Sequence, residues 1–205
     1  TNYLHLRNHF TNKNENNDIK FLVFGDSFTS DPYASNDKMW FSQIANLIYE
    51  KKGKHAAAYS IGAGGYGSLQ QLLSLKKIKK EGFDFNKINF FIFQFCNNDF
   101  DNNSLEIEKK SRNFNQYSRR PYLVNDQIIY DQSIISKILR IPVLGESRIL
   151  NKFFFLLSKI NFKNSEKINY KKSIQTTKKI ISKIKSELNN KTTIYINCEN
   201  NSKWE

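Results

Sequence analysis

Short apolar runs recur along the chain, separated by stretches in which apolar residues return every three or four positions. Residues 19–24 (IKFLVF) are β-branched and aromatic and stop at Gly25, which predicts a buried strand. Residues 56–61 predict a second strand, and residues 88–95 (INFFIFQF) a third that is almost continuously apolar. Residues 192–197 (TTIYIN) predict a fourth. Between them lie helical patterns. The first starts near Asn36 or Asp37, either of which can cap it, and runs to about Lys52, with Trp40, Ile44, Leu47 and Ile48 on one face and Gly53 at its end. The second is expected from a Ser68 cap to about Lys80, with Leu69, Leu72, Leu73 and Leu75 available to a core. The third covers residues 168–188, with Ile174, Ile181, Ile184 and Leu188 on one side and lysines on the other.

Residues 1–18 are polar and Asn-rich and read as a lead-in loop. Residues 100–165 interrupt the alternation. There, residues 122–130 (YLVNDQIIY) predict a hairpin turning at Asn125-Asp126, and residues 134–139 and 150–157 predict short helices. This stretch reads as an insertion that shapes a substrate pocket, inside one domain over 19–205. The order β-α-β-α-β-insertion-α-β predicts an α/β fold, a three-layer α/β/α sandwich around a parallel sheet with helices on both faces. Ligands of such sheets bind at the carboxyl ends of the strands.

Composition narrows the classes. At 205 residues with 39% hydrophobic content, the chain has the size and apolar content of about one folded domain. Its longest unbroken apolar stretches are a few residues, against ~20 for a membrane span, so none is expected within it. The two cysteines, Cys96 and Cys198, follow the third and fourth strands without metal-site spacing and are expected as free thiols. The three histidines, His5, His9 and His55, show no HExxH pattern, which argues against a zinc hydrolase. No metal and no organic cofactor is implied. The net charge of +13 is mostly lysine spread over surface faces and accompanies an excess of Asn, Ile and Phe. It reads as a solvated surface with compositional bias rather than a nucleic-acid stripe, with an anionic surface as the alternative. The chain opens on Thr1 without a Met and closes on Glu205 shortly after a strand, which reads as a fragment. A signal peptide would be hidden by a missing N-terminus, so compartment and oligomeric state stay open.

Three segments at strand ends carry candidate chemistry. Ser27 follows strand one on a Gly-Asp-Ser-Phe turn, where a hydroxyl is held on a rigid element and aimed at the ligand crevice. Gly65 sits in the glycine-rich turn after strand two, where a backbone N–H can approach a ligand closely. Asn98 follows strand three and offers two amide donors. With the Ser27 N–H they make three donors, as an oxyanion requires when a serine attacks an ester carbonyl. The same glycine-rich turn has a rival reading. Gly62, Gly64 and Gly67 satisfy G-x-G-x-x-G, but after the second strand, and the strand that follows ends in Cys96-Asn97 without the acidic residue that would hold a ribose, with Asp99 coming too late.

These segments resemble the SGNH (GDSL-type) hydrolase superfamily. GDSFT is similar to its first signature, SIGAGGYGSLQ to its second, and FCNNDF to its third, which is usually Gly-Asn-Asp. The opening TNYLHLRN resembles a lead-in seen ahead of the first signature in some members. The resemblance implies a flavodoxin-like fold and ester hydrolysis, with Ser27 as nucleophile and with Gly65 and Asn98 as oxyanion-hole residues. It implies a small-molecule, glycan or lipid ester as substrate, and an esterase or deacylase removing an acetyl or short acyl group. A non-catalytic glycan-binding protein on the same scaffold is the alternative. Two departures stand out. Asn97 replaces the usual Gly, at a position where Asn tolerates a left-handed backbone. The fourth signature, Asp-x-x-His, is not in the sequence, and no His follows His55. The expectation is a fold truncated at the C-terminus, poorly active as it stands. His55 is expected at the amino end of the sheet, and His5 and His9 as structural or surface residues.

Overall fold

The computed structural model describes residues 6–12, 17–110, 120–130, 134–139, 141–150 and 170–198, together with 152, 153 and 156. The chain divides into two compact units, one made of Thr1–Asn97 and Ile181–Glu205, the other of Asn98–Ile180.

The first unit is a five-stranded sheet with helices. Four strands run parallel: β2 (Ile19–Gly25), β3 (Ala56–Gly62), β4 (Phe90–Phe95) and β7 (Thr193–Asn197), in the spatial order β3-β2-β4-β7. β1 (Arg7–Phe10) adds an antiparallel edge on β3, pairing Arg7 with Ser60 and Phe10 with Ala57. The segment expected as a loop thus contains a strand, and the sheet is mixed rather than wholly parallel. The Arg-Asn-His-Phe stretch has no apolar run to announce it. Its four residues are all half-buried, as an edge strand allows.

β2 is central, and its composition follows from that. Phe21 and Val23 join Ile92, Ala56 and Ala58 in one cluster with Met39, Phe41 and Ala45 of the segment leading into and forming α2 (Trp40–Lys52). The strand pleat turns Leu22 and Phe24 to the opposite face. All four side chains are fully buried, so both faces of β2 are covered, which explains its unbroken apolar run. Register places Phe21 beside Phe90 and Phe24 beside Phe93, with stacked rings 4.9 and 4.8 Å apart. α3 (Ser68–Lys80) is tied to the end of α8 (Tyr170–Glu187) by Lys76 and Lys79, whose ammonium groups lie 3.2 and 3.3 Å from the Glu187 carboxylate.

Two helix starts differ from expectation. α2 begins at Trp40 with Met39 as its N-cap, after a separate 3-10 turn over Asn36–Lys38. Asn36 lies three residues before that cap, at the start of the 3-10 turn, and its carboxamide oxygen accepts from Arg7 Nε at 2.8 Å. α3 is capped at Gly67, whose N–H donates to Gln70 Oε1 at 2.9 Å, and Ser68 is its first residue.

The cysteines also differ. Cys96 and Cys198 form a disulfide rather than free thiols, with Cα atoms 5.3 Å apart. β4 and β7 are neighbours with Phe95 opposite Asn197, so the next residue of each strand faces the other. That adjacency sets the Cα spacing a disulfide requires. The bridge closes a loop of about 100 residues across the whole second unit. Reducing it is expected to lower stability by about 2 kcal/mol or more and the melting midpoint by ~4–8 °C. Thermal scans with and without a phosphine reductant, repeated on the Cys96→Ser/Cys198→Ser variant, check this. Equal midpoints would mean that the bridge constrains nothing.

The second unit contains α4 (Asn98–Asn102), α5 (Leu105–Lys110), the hairpin of β5 (Pro121–Val124) and β6 (Gln127–Tyr130), α6 (Ile134–Leu139), α7 (Pro142–Gly145) and the first part of α8. The hairpin turns at Asn125 and Asp126 as expected, both with positive φ (49° and 65°), the conformation these short polar side chains accommodate. The predicted helix at 150–157 lies only partly within the described residues. A buried polar cluster anchors this unit. The Glu108 carboxylate accepts from Arg120 and, at 2.6 Å, from the Tyr122 hydroxyl, while Arg120 also donates to Asn102 at 3.0 Å. Burial pushes the Glu108 carboxyl above its ordinary range, against the pull of Arg120 and Tyr122. Asn103 donates to Thr177 at 2.9 Å, holding α4 and α8 together within the unit.

Candidate active site

Ser27 sits where the sequence suggested, immediately past the carboxyl end of β2. β2 stops at Gly25, Asp26 is the N-cap, and Ser27 opens α1 (Ser27–Ser30). Asp26 is buried, and its Oδ1 accepts from the Phe28 N–H at 2.9 Å. Ser27 itself is exposed. As the first residue of the turn, its N–H has no acceptor within the helix.

The turn is locked from beneath. Thr29 is fully buried, and its hydroxyl donates to Gln94 Oε1 of β4. This contact passes directly over Gly25. A Cβ on Gly25 would fall 2.0 Å from Thr29 Oγ1 and 2.6 Å from Gln94 Oε1. A Cβ on Gly62, its register partner in β3, would fall 2.9 Å from Asp26 O and 2.9 Å from Thr29 Cβ. Both glycines are therefore required by close approach, and together they let the chain reverse sharply enough to present Ser27. Gln94 is held in turn by Gln71, whose amide donates to the Gln94 carbonyl at 2.8 Å.

Gly65 lies past the carboxyl end of the adjacent strand β3. Gly25 pairs with Gly62, so Ser27 and Gly65 project from the same edge of neighbouring strands. Residues 63–66 form a tight turn closed by the Tyr66 N–H to the Ala63 carbonyl at 3.0 Å, and its third residue, Gly65, has φ 77°. A side chain is strained in that conformation. Residues 67–72, where α3 begins, are all buried, so the dinucleotide reading of the glycine pattern lacks an open helix N-terminus for a pyrophosphate.

Asn98 begins α4, three residues after β4 ends, and is exposed. It is the first residue of the second unit. Asn97 does not adopt positive φ, so the departure from Gly there calls for no left-handed backbone.

The described histidines lie elsewhere. His55 precedes β3 at the amino end of the sheet, where it stacks on Tyr49 with ring centres 4.7 Å apart. Ala56 pairs with Ile19 and Gly62 with Gly25, so about six residues of strand, roughly 20 Å, separate His55 from the Ser27 edge. His9 lies in β1 and bonds Asn46 of α2 at 2.8 Å. His5 lies outside the described residues.

The chain is similar in structure to solved SGNH-hydrolase esterases. Against AlinE4, described as an SGNH-hydrolase family esterase, identity is 18% and the TM-score 0.36, over 45% of this chain and 48% of that one, so the match spans about half of AlinE4. Against a lipase from a goat rumen metagenome, identity is 16% and the TM-score 0.32, over 87% and 80% of the two chains. Against TesA the values are 13% and 0.34, over 82% and 99%. No family model and no curated protein sequence matches the chain.

One residue at this edge escaped the sequence reading. Arg7 of β1 grips the loop that follows Ser27. Its Nη1 donates to the Ser30 and Asp31 carbonyls at 3.1 and 2.6 Å, its Nη2 to the Ala34 carbonyl at 2.6 Å, and its Nε to Asn36. The fork geometry of a guanidinium makes this possible from one side chain. The only sequence signal was its place in the TNYLHLRN lead-in. Arg7→Ala should free residues 30–36 and destabilise the unit by about 1.5–3 kcal/mol. Hydrogen exchange checks this: faster exchange confined to 27–36 is expected, and unchanged exchange there would remove the clamp assignment. Arg7→Lys should restore little, since an ammonium cannot serve four acceptors spread over this loop.

Proposed function

We propose that this chain is a serine ester hydrolase of the SGNH type, removing an acetyl or short acyl group from a carbohydrate or lipid ester. The observation that carries the reading is the exposed Ser27 on an elbow held by the buried Thr29–Gln94 bond, with two glycines at which a Cβ would clash. Counting the parallel strands in chain order, the sheet runs 2-1-3-4, which supports a flavodoxin-like arrangement. Its topological switch point falls between β2 and β4, where a crevice at the carboxyl ends receives ligand in such sheets. Ser27 follows one of those strands and Asn98 the other.

In this mechanism Ser27 Oγ attacks the ester carbonyl. The Ser27 and Gly65 N–H groups and the Asn98 amide stabilise the oxyanion. The base is not His9 or His55. The resemblance assigns it to an Asp-x-x-His segment, which the 205 residues do not contain. The alternative is a binding protein that holds a glycan ester without cleaving it. The Cys96–Cys198 bridge supports an oxidising compartment. A fluorophosphonate probe separates the two readings. With a general base present, a hydrolase is labelled at Ser27, located by peptide mass spectrometry. Lack of labelling together with micromolar binding of an acetylated oligosaccharide would favour the binding protein.

A further inference from the structure

We infer that a cavity lined by β3 and α3, within the first unit, is a binding site for one neutral sugar ring. The cavity measures about 230 Å³. Ile61 and Gly62, the last two residues of β3, line it, and Tyr66 of the glycine-rich turn adds its ring. From α3 and its C-cap come Ser74, Lys77, Ile78 and Glu81. These four recur at i, i+3, i+4 and i+7, the spacing of one helix face. All of these residues belong to the first unit. Gly62 is the register partner of Gly25, and Tyr66 directly follows Gly65. The cavity therefore borders the strand edge from which Ser27 projects.

The lining selects the occupant. Ile61 and Ile78 are aliphatic and Tyr66 is aromatic, which suits the C–H face of a ring. Tyr66 and Ser74 carry hydroxyls that donate and accept, the Lys77 ammonium only donates, and the Glu81 carboxylate only accepts. A sugar hydroxyl does both, so it can meet each of them. Lys77 and Glu81 stand at the rim, with 70% and 39% of their side chains open to solvent and their charged atoms 3.8 Å apart. A surface pair of this kind holds weakly, so each partner can turn to a ligand at little cost. An acyl chain would leave these polar groups facing hydrocarbon, which is unfavourable. An anion would meet the Glu81 carboxylate. It would gain little from Arg7, which also borders the cavity, because that guanidinium already donates to Ser30, Asp31, Ala34 and Asn36. Size sets the limit: sites for drug-sized ligands measure about 300–1,000 Å³, and this one is smaller, with room for a single ring. The inference deepens the proposed function by choosing a carbohydrate ester over a lipid ester. It rests on that reading for the bond that is cut, and not for the ring that is held.

The test is a titration of the isotope-labelled 205-residue chain with the methyl glycosides of xylose, glucose, galactose and N-acetylglucosamine, followed by amide chemical shifts. These probes carry no ester, so binding is read apart from hydrolysis. At least one is expected to bind with a Kd of about 1 mM and to shift the amides of 61–62, 66 and 74–81. Ser74→Leu, which fills the cavity from a half-buried helix position, should weaken binding at least ~10-fold. Glu81→Gln at the exposed rim should weaken it about fivefold. Circular dichroism verifies that both variants fold, and the shift map of the parent chain does not depend on them. Octanoate should leave these amides unmoved. Four results overturn the proposal: no glycoside shifts these amides; shifts appear only at other residues; Ser74→Leu leaves the affinity unchanged; or octanoate moves the same amides, which would assign the cavity to an acyl chain. Glycoside binding without fluorophosphonate labelling of Ser27 would keep the sugar site and remove the hydrolase. Labelling without glycoside binding would do the reverse.

Discussion

Where a general base completes the site, Ser27→Ala is expected to lower ester hydrolysis by about 10⁴-fold or more, which corresponds to roughly 5.5 kcal/mol of lost transition-state stabilisation. The fold should not notice. Ser27 is exposed, its side chain holds no part of the elbow, and Ala suits a first helical turn. Gly25, the Asp26 cap and the Thr29–Gln94 bond stay in place, so circular dichroism and thermal midpoint should match the parent. Loss of activity with an unchanged midpoint is then a chemical effect. The measurement has a second arm. The 205 residues alone should hydrolyse p-nitrophenyl acetate slowly, because neither described histidine reaches the carboxyl edge and base assistance is worth about 10²–10⁴-fold. Fast turnover by these residues, abolished by Ser27→Ala, would place a base within them and overturn the assignment to Asp-x-x-His. Fast turnover unaffected by Ser27→Ala would remove the nucleophile assignment itself.

The strands and helices around Ser27 were legible because their patterns are local. Residues 19–24 and 88–95 are apolar on both faces, and that signature belongs to strands covered on both sides. The hairpin at Asn125-Asp126 was legible for the same reason, since the turn chemistry lies in two adjacent residues. What could not be read depends on pairing at a distance. β1 exists because β3 offers it an edge 45 to 55 residues later, and nothing in Arg-Asn-His-Phe foretells that. The disulfide exists because β7 lies beside β4 across about 100 residues of intervening chain. The start of α2 moved because a separate 3-10 turn takes up Asn36–Lys38, and that of α3 because the Gly67 N–H bonds Gln70. At the site, the glycines announced a turn. Only the structure gives the reason, the Thr29–Gln94 bond crossing Gly25. Arg7 shows the limit most plainly, since a half-buried Arg on an edge strand has no pattern of its own.

Asn98→Ala is expected to lower kcat by about 10²–10³-fold with little change in KM. The reason is where charge develops. A carbonyl oxygen in the bound ester is a weak acceptor, and it becomes an oxyanion only as Ser27 attacks, so an amide aimed at it strengthens in the transition state. Within its own unit, α4 is pinned one turn beyond Asn98, where Asn102 accepts from Arg120 and Arg120 pairs with the buried Glu108. Asn98 is exposed, so the substitution should leave stability near that of the parent. Asn97→Gly supplies the control: Asn97 needs no positive φ, and that variant should keep kcat within a few-fold. The decisive quantity is the split between kcat and KM. A tenfold rise in KM at constant kcat would mean that Asn98 holds substrate and transition state equally. The oxyanion role would then be wrong, and the glycan-binding reading would take its place.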